Sequence, residues 1–537
     1  MADEDHKDRI EAMEHAEARQ MTGDKGEQVV VESAFAGLSR LQTIRTFRRC
    51  IGYVLLACCC ALNDGYEFSI PNSVINIQAF VDEFGIVDSV TGVAALSPRV
   101  VSLWNGLQQI GIVSGQILGA ALNDRVGRKG AMYGLTACFV IGAILSVVAH
   151  EWRVWLAGRF IFGTGMGMCQ MTITTYVSEI APTQVRGTML AVYSLSFAIG
   201  QFLSAVCIKV LQDKTPALWR RAIYTQWIFI GIWILILPWM PESPWHLARK
   251  HQHEKAKRSL ARLYKGVPQW DADREYLVLQ AELAHAEAIK PAWGNSRFIE
   301  IFRGVNGRRT LASIIGPAMQ QLVGVPIFFT YITYFFAQSG VHDPFLATII
   351  MYCLYIGALV ISFWTSELVG RRPLLLWGAA LMFSANIGLG ITGSFKVINS
   401  AAAVAMSCIW VFTYSLTSAP VAFMISGETS TPRLRAYTNG LALAVFGSLG
   451  AMFTFVVPYM LDTQHANWGV KSGYLFGGGC LLSFIAVFFF VPETAGRTYA
   501  ELDELWESGI SVRKFAKAKT TAQQSGAFEL RPARTNA

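Results

Sequence analysis

Apolar residues run for about the thickness of a bilayer, yield to a short polar loop, and resume. This alternation repeats along most of the chain. A membrane-spanning helix needs about 20 such residues. Twelve runs qualify: 51–72, 98–121, 130–149, 154–177, 188–209 and 222–240, then 311–336, 345–365, 373–394, 401–426, 438–461 and 470–491. A polar segment, 241–310, separates the two sets. Its stretches "EKAKRSLARLYKG" and "ADREYLVLQAELAHAEAIK" predict surface helices of mixed charge. The first 36 or so residues are polar and predict a loose tail.

The halves repeat one another. "NDRVGRKG" at Asn123 returns as "SELVGRRP" at Ser366, "SEIAPTQVRG" at Ser178 as "GETSTPRLRA" at Gly427, and "PESP" at Pro241 as "PETA" at Pro492. The pairs Asp124/Glu367, Glu179/Glu428 and Glu242/Glu493 stand 243, 249 and 251 residues apart. One order at nearly one offset implies duplication. The expected fold is an all-α membrane protein of twelve transmembrane helices in two pseudo-symmetric six-helix bundles. The expected organisation is a cytoplasmic tail (1–50), an N-terminal bundle (51–240), a cytoplasmic helical linker (241–310), a C-terminal bundle (311–491) and a cytoplasmic C-terminal tail (492–537).

Charge orients this arrangement. The segment before span 1, "RLQTIRTFRR", and the loops "DRVGRKG", "GRRP" and "RLRAY" are basic, whereas "DEFGIVDS", "HEW" and "SGVHD" are poor in Lys and Arg. Basic loops stay in the cytoplasm, so both termini and the linker are expected there. Lys209, Lys214, Arg220 and Arg221, around one outer loop, break the pattern.

Composition agrees. The chain of 537 residues is 53% hydrophobic and 15% charged, with mean hydropathy +0.37; soluble domains carry about 25% charged residues. The formal charge of +8 reads as basic loops, not nucleic-acid binding. Ten cysteines show neither metal spacing nor a disulfide framework. No nucleophile–base pair, metal set or phosphate loop appears, so neither an enzyme nor a cofactor is expected.

Polar groups inside the spans carry the chemistry. "ALNDGYEFSIPN" places Asp64 and Glu67 within span 1. Glu67 is 16 residues above Ile51, roughly 24 Å, several ångströms short of the far edge of a core about 30 Å thick. Span 4 descends from Val154, and Arg159 lies roughly 7.5 Å in. The opposite charges therefore fall at similar depth. Snorkelling to headgroups is the alternative for Arg159, and an interfacial carboxylate in water is the alternative for Glu67. Asp64 is one turn below Glu67 on nearly the same face, and these residues alone do not choose between the two acids. Gly111, Gly115, Gly119, Gly163, Gly165 and Gly167 predict close helix packing.

The motifs "DRVGRK", "RFIFGTGMG", "VSEIAPTQVRG", "PESPW", "QQLVG", "ELVGRR", "GETSTPRLR" and "PETAGRT" together resemble the sugar porter family of the major facilitator superfamily, over nearly the whole membrane region. "PESPWHLARK" and "STPRLRA" look more like the fungal α-glucoside and disaccharide permeases than hexose carriers. The resemblance implies alternating-access transport of a sugar with protons, Glu67 taking the acid position of a "GYD" motif opposite Arg159. It implies sugar ligands at Gln201, Gln320 and Gln321, with Tyr331 near the outer gate; a purely structural amide is the other reading of the paired glutamines. It also implies a gating network of salt bridges between the halves from Asp124, Arg125, Arg128, Glu179, Arg186, Glu242, Glu367, Arg371, Glu428, Arg435 and Glu493.

Several family positions differ here: Ser194, Pro326, Tyr355, Phe423 and Gly447 replace polar or tryptophan ligands, and Trp245 replaces an Arg after "PESP". Gly447 is expected to open space in the pocket. The expected function is proton-coupled import of a disaccharide, α-glucoside or hexose by a plasma-membrane monomer whose partners are substrate, protons and lipid. The alternatives are a facilitator or exporter of a non-sugar or glycosylated metabolite on the same fold, and a non-transporting nutrient sensor.

Overall fold

Twelve membrane-length helical segments follow one another, as the hydropathy pattern requires. The computed structural model describes residues 40–87, 94–182, 184–215, 217–267, 270–289, 299–395, 399–431, 434–462, 465–495, 497 and 499–518; most of both expected tails lies outside them. In chain order the segments are span 1 (Arg48–Val74), spans 2 and 3 (both within Pro98–Val148), span 4 (Trp152–Ile180) and span 5 (Arg186–Lys214). Span 6 is made of Arg220–Tyr224 and Gln226–Ile236. The second half holds span 7 (Gly304–Leu322, a π-helical turn Pro326–Thr330, then Ile332–Gln338), span 8 (Pro344–Leu368), span 9 (Arg371–Thr392), span 10 (Ser400–Leu416 and Ser418–Thr429), span 11 (Arg435–Leu461) and span 12 (Ser472–Phe490). Among the described residues, eight helices qualify as membrane-crossing by length and hydropathy alone. Span 1 is outside that group because Asn63, Asp64 and Glu67 lower its hydropathy. The side on which the described chain begins and ends is called the inner side below.

Two glycines make the symmetry visible. Gly127 (φ +87°) breaks the Pro98–Val148 helix between spans 2 and 3, and Gly370 (φ +98°) stands between spans 8 and 9. A Cβ at Gly127 would meet Glu242 Oε2 at 2.5 Å, and one at Gly370 would meet Glu493 Oε2 at 2.8 Å. Each turn therefore needs both a positive φ, which glycine tolerates, and room for a carboxylate. Arg128 lies past this break, at the start of span 3.

Lipid gives helices no hydrophobic reason to associate, so close backbone packing must do that work. Spans 2 and 4 meet this way: a Cβ at Gly163 would come within 2.2 Å of Gln108 O, and one at Gly167 within 1.9 Å of Ile112 O. Spans 1 and 5 meet at Gly65 and Gly200, where a Cβ would stand 2.0 Å from Phe197 O and 2.1 Å from Leu62 O.

Outside the bilayer-length helices, the linker helices Pro244–Arg249, His253–Leu263 and Ala272–Ile289 share a small core of Ala248, Ala256, Leu260, Tyr276, Leu279 and Leu283. On the outer side a short helix, Gln78–Phe84, was not foreseen. Its Phe80 and Phe84 pack against Trp104, Trp155 and Trp219. Its Glu83 accepts hydrogen bonds from Arg220 at 2.6 and 2.8 Å, which hold that carboxyl below its usual range. Lys209 pairs with Asp213 at 2.8 Å and Asp343 at 2.6 Å. Two of the four outer cations that broke the charge pattern are thus matched by carboxylates.

Candidate functional site

Glu67 and Arg159 project from spans 1 and 4 into the outer half of the N-terminal bundle, Glu67 fully buried and Arg159 all but 1% buried. Neither carboxylate oxygen and none of the three guanidinium nitrogens has a hydrogen-bond partner. Arg159 is the strongest charge acting on Glu67, and Asp64 the next. Arg159 also lies 5.8 Å from the Phe162 ring centroid. Burial at this depth rules out snorkelling in this conformation.

Asp64 is placed differently. It is fully buried, and one oxygen accepts weak hydrogen bonds from Gln170 Nε2 and Tyr193 OH, both at 3.4 Å. Gln170 in turn accepts from Gln116 at 3.1 Å. A polar chain therefore links spans 1, 2, 4 and 5 around Asp64, while Glu67 is left toward Arg159. Gln201 of span 5 is buried with its Oε1 unpartnered.

In the second bundle the decisive local feature is the break in span 7. Gly324 takes φ +119°, and Pro326 begins the π-helical turn, supplying no N–H of its own. The freed carbonyl of Val323 accepts instead from Asn386 Nδ2 at 3.1 Å and Trp410 Nε1 at 3.0 Å. Just inside this break lie Gln320 and Gln321, both buried. Gln320 Oε1 accepts from Tyr414 OH at 3.2 Å, and its Nε2 donates to Ser418 O at 3.4 Å. Trp410 and Tyr414 stack 5.1 Å apart, Phe328 stacks on Trp410 at 4.2 Å, and Phe329 meets Tyr355 edge-on at 5.0 Å. Amides beside aromatic faces form a lining able to hydrogen-bond hydroxyls and cover apolar ring faces.

Tyr331, at the outer end of the break, is fully buried; its hydroxyl donates to Thr454 O at 2.7 Å, with Asn105 of span 2 beside it. Here the two bundles meet. Ser69 and Tyr352 hydroxyls lie 3.4 Å apart, as do those of Ser73 and Thr333, and Ser102 donates to Phe455 O at 2.9 Å. With Lys209–Asp343, these cross-bundle contacts all lie toward the outer side. Gly447 does not open the pocket: a Cβ there would stand 3.1 Å from Val113 of span 2, so the missing side chain lets spans 2 and 11 close together. Phe423 faces Phe446 at 5.6 Å and is 42% exposed. Ser194 is exposed.

At the inner ends the charged motifs form two matching networks, each within one bundle in this conformation. In the first, Glu242 accepts from the backbone N–H groups of Arg128 (2.8 Å), Lys129 (3.1 Å) and Ser243 (2.9 Å), while Glu179 pairs with Arg128 at 2.5 Å and accepts from Ser243 Oγ at 2.6 Å. In the second, Glu493 accepts from the N–H groups of Arg371 (3.0 Å), Arg372 (3.2 Å) and Ala495 (2.9 Å), and Glu428 pairs with Arg371 at 3.3 Å and accepts from Thr494 Oγ1 at 2.5 Å. Burial still pushes the Glu242 carboxyl up, against its three N–H donors.

Asp124 reaches Arg249 at 3.8 Å and is largely exposed, and Arg125 is exposed. Arg186 and Arg435 are half-buried at the starts of spans 5 and 11. The Glu367 side chain lies outside the described residues. Sequence reasoning missed three members. Ser243 and Thr494 follow the two Pro–Glu pairs and were legible as a repeated hydroxyl. His246 was not: it stands 2.9 Å from Arg128 through Nδ1, and burial and Arg128 push its pKa down to about 4.

The profile of the family described as "Sugar (and other) transporter" matches residues 53–506. The chain belongs to this family. As a member of the sugar porters of the major facilitator superfamily, it is a multi-pass membrane transporter and not an enzyme. It is 27% identical over 530 residues to the "MFS transporter fmqE" of Aspergillus fumigatus, covering 96% of this chain and 98% of that one. It is 30% identical to the "Galactose transporter" of Saccharomyces cerevisiae (85% and 82% covered) and 29% identical to that yeast's "Maltose permease MAL31" (90% and 80%). Hexose and disaccharide carriers thus match this transporter almost equally. Among solved structures, the partially occluded inward-open form of the xylose transporter XylE from E. coli superposes with TM-score 0.68 at 20% identity, covering 83% of this chain and all of that one.

Proposed function

We propose that this protein is a proton-coupled sugar symporter of the plasma membrane, a monomer with both termini in the cytoplasm, importing a disaccharide, α-glucoside or hexose by alternating access. The carrying observation is the Glu67–Arg159 arrangement: two buried opposite charges on neighbouring helices, with every charged atom lacking a hydrogen bond. Such groups are costly unless compensated, and in membrane proteins they mark ion pathways. Protonation of Glu67 removes its pull on Arg159, and deprotonation restores it, so a proton and a helix contact are linked. Gln201, Gln320, Gln321 and Tyr331 hold the sugar hydroxyls, and Asp64 tunes Glu67 from one turn below.

The conformation described is read as inward-facing, because the named cross-bundle hydrogen bonds and ion pair sit on the outer side. The gating roles of Asp124, Arg125, Arg128, Glu179, Arg186, Glu242, Glu367, Arg371, Glu428, Arg435 and Glu493 then belong to the opposite state, in which the inner ends approach. Uptake of labelled mono- and disaccharides in transporter-null cells, with and without a proton gradient, tests the reading. Uptake unaffected by collapsing the gradient defeats symport.

A second reading, a facilitator or exporter of a non-sugar or glycosylated metabolite, is favoured by the weight of aromatic surface around Trp410 and Tyr414. Substrate-dependent proton movement in reconstituted vesicles separates the two.

A further inference from the structure

A cavity of about 430 Å³ opens at the inner end of spans 9 and 12, away from the transport pathway. Leu376, Trp377, Phe484 and Phe488 wall it, with Arg372 and Glu493 at its inner end and Ala516 of the C-terminal segment closing one side. Its apolar walls are left uncovered by protein: Trp377 is 69% exposed and Phe489, alongside, 51%.

Two guanidiniums gather about Phe488, Arg372 in the lining and Arg513 beside it. Arg372 lies 5.7 Å from the Phe488 ring centroid and donates to Phe488 O at 2.8 Å. Arg513 lies 5.5 Å from the same ring and 5.6 Å from that of Phe489. Among the described residues neither forms an ion pair. Glu493, in the same lining as Arg372, accepts from three backbone N–H groups. Arg513 is not there by chance of a loose tail. Its turn, Val512–Lys517, is pinned by Phe515, which is buried against Ala312, Leu505 and Trp506, and by Arg497, which donates to Phe515 O and Ala518 O. The fold therefore holds two like charges on one aromatic ring, at the depth where span ends meet headgroups. The Glu493 carboxylate offsets part of the charge on Arg372 while Arg513 opposes it; a further anion between the two guanidiniums relieves that repulsion.

We propose that this groove binds an anionic phospholipid from the leaflet on the inner side, its phosphate between Arg372 and Arg513 and an acyl chain along Leu376, Trp377, Phe484 and Phe488. Charge and shape select this occupant: a cationic pair suits a phosphate, and an apolar trench opening sideways into the bilayer suits a chain. Each basic group near the membrane surface adds about fivefold to the affinity for an anionic lipid.

The test uses the full-length protein purified in a neutral detergent and native mass spectrometry with defined lipids. Phosphatidylserine and phosphatidylinositol are expected to bind about tenfold or more tightly than phosphatidylcholine of the same chains. R513Q, on an exposed turn, is expected to reduce that preference about fivefold, and R372Q with R513Q to abolish it. W377A is expected to weaken charged and neutral lipids alike, while inorganic phosphate and the deacylated headgroup fail to compete. Equal binding of the charged and neutral lipids, or an unchanged preference in R513Q, overturns the proposal. Competition by the deacylated headgroup overturns the lipid assignment in favour of a soluble anion.

Discussion

At Glu67 a carboxylate and at Arg159 a guanidinium are buried within reach of each other's field without a hydrogen bond between them. Geometry of that kind permits exchange of partners. Glu67→Gln removes the titration but keeps the shape, so counterflow of substrate between equal concentrations is expected to survive while accumulation driven by a proton gradient is lost. Accumulation equal to the parent's sinks the assignment. Gln320 presents the other side of the chemistry. Its amide accepts from Tyr414 and donates to the carbonyls of Ser418 and Ala419, and its replacement by Ala costs about 1–2 kcal/mol in substrate contact. The apparent KM should rise roughly five- to thirtyfold, measured by uptake against substrate concentration.

His246 gives a pH signature. Its pKa is pushed to about 4 in the folded protein from about 6.5 unfolded. Between those values the unfolded chain binds the extra proton, so stability is full above about pH 6.5 and falls as pH drops toward 4. His246→Gln is expected to flatten part of that decline in thermal unfolding of the purified protein between pH 7 and 5. An unchanged slope contradicts it.

At the scale of elements, glycine positions separate packing from mere sequence. Gly65 and Gly52 both lie in span 1. A Cβ at Gly65 would press within 2.0 Å of the Phe197 carbonyl, whereas one at Gly52 meets nothing within 4 Å. Overpacking of this kind costs typically 1–3 kcal/mol, and here the obstacle is backbone. Gly65→Ala should lower the melting temperature and transport together, with Gly52→Ala close to the parent; equal effects of the two changes refute the close contact. The same scale shows what patterning reads well. Period and length give the helices, and the paired motifs give the duplication. The break in span 7 is different. "QQLVGVP" contains Gly324 and Pro326, yet it takes donors 63 and 87 residues beyond Val323, Asn386 and Trp410, with the Cys480 thiol, to make an open carbonyl there tolerable.

Taken whole, the molecule is two bundles that meet about midway along spans 2 and 11, where Gly447 faces Val113, and toward their outer ends. Lys209 of span 5 and Asp343 at the start of span 8 form an ion pair across that junction at 2.6 Å, each about a quarter exposed. An exposed pair is weak, about 0–1 kcal/mol, which suits a contact that opens in every cycle. Replacing both residues by Cys and joining them through two disulfides with a short bis-methanethiosulfonate should stop transport reversibly, read as uptake before and after reduction. Uptake that continues in the linked protein means the outer ends do not part there.

The amino-acid sequence by itself determined the number and order of the spans, their duplication and the family, because hydropathy over 20 residues and short repeated motifs are local properties. It also determined that acid and base lie at matching depth in spans 1 and 4, since depth follows from counting along a helix. Only the tertiary structure decided what those groups face. It assigned Asp64 to Gln170 and Tyr193 and left Glu67 toward Arg159. It closed Gly447 against Val113, gave Lys209 and Arg220 their carboxylates, and brought Arg513 beside Arg372. Each of these depends on which helix faces come together, and a helix's rotation about its own axis is set by contacts with residues far away in the chain.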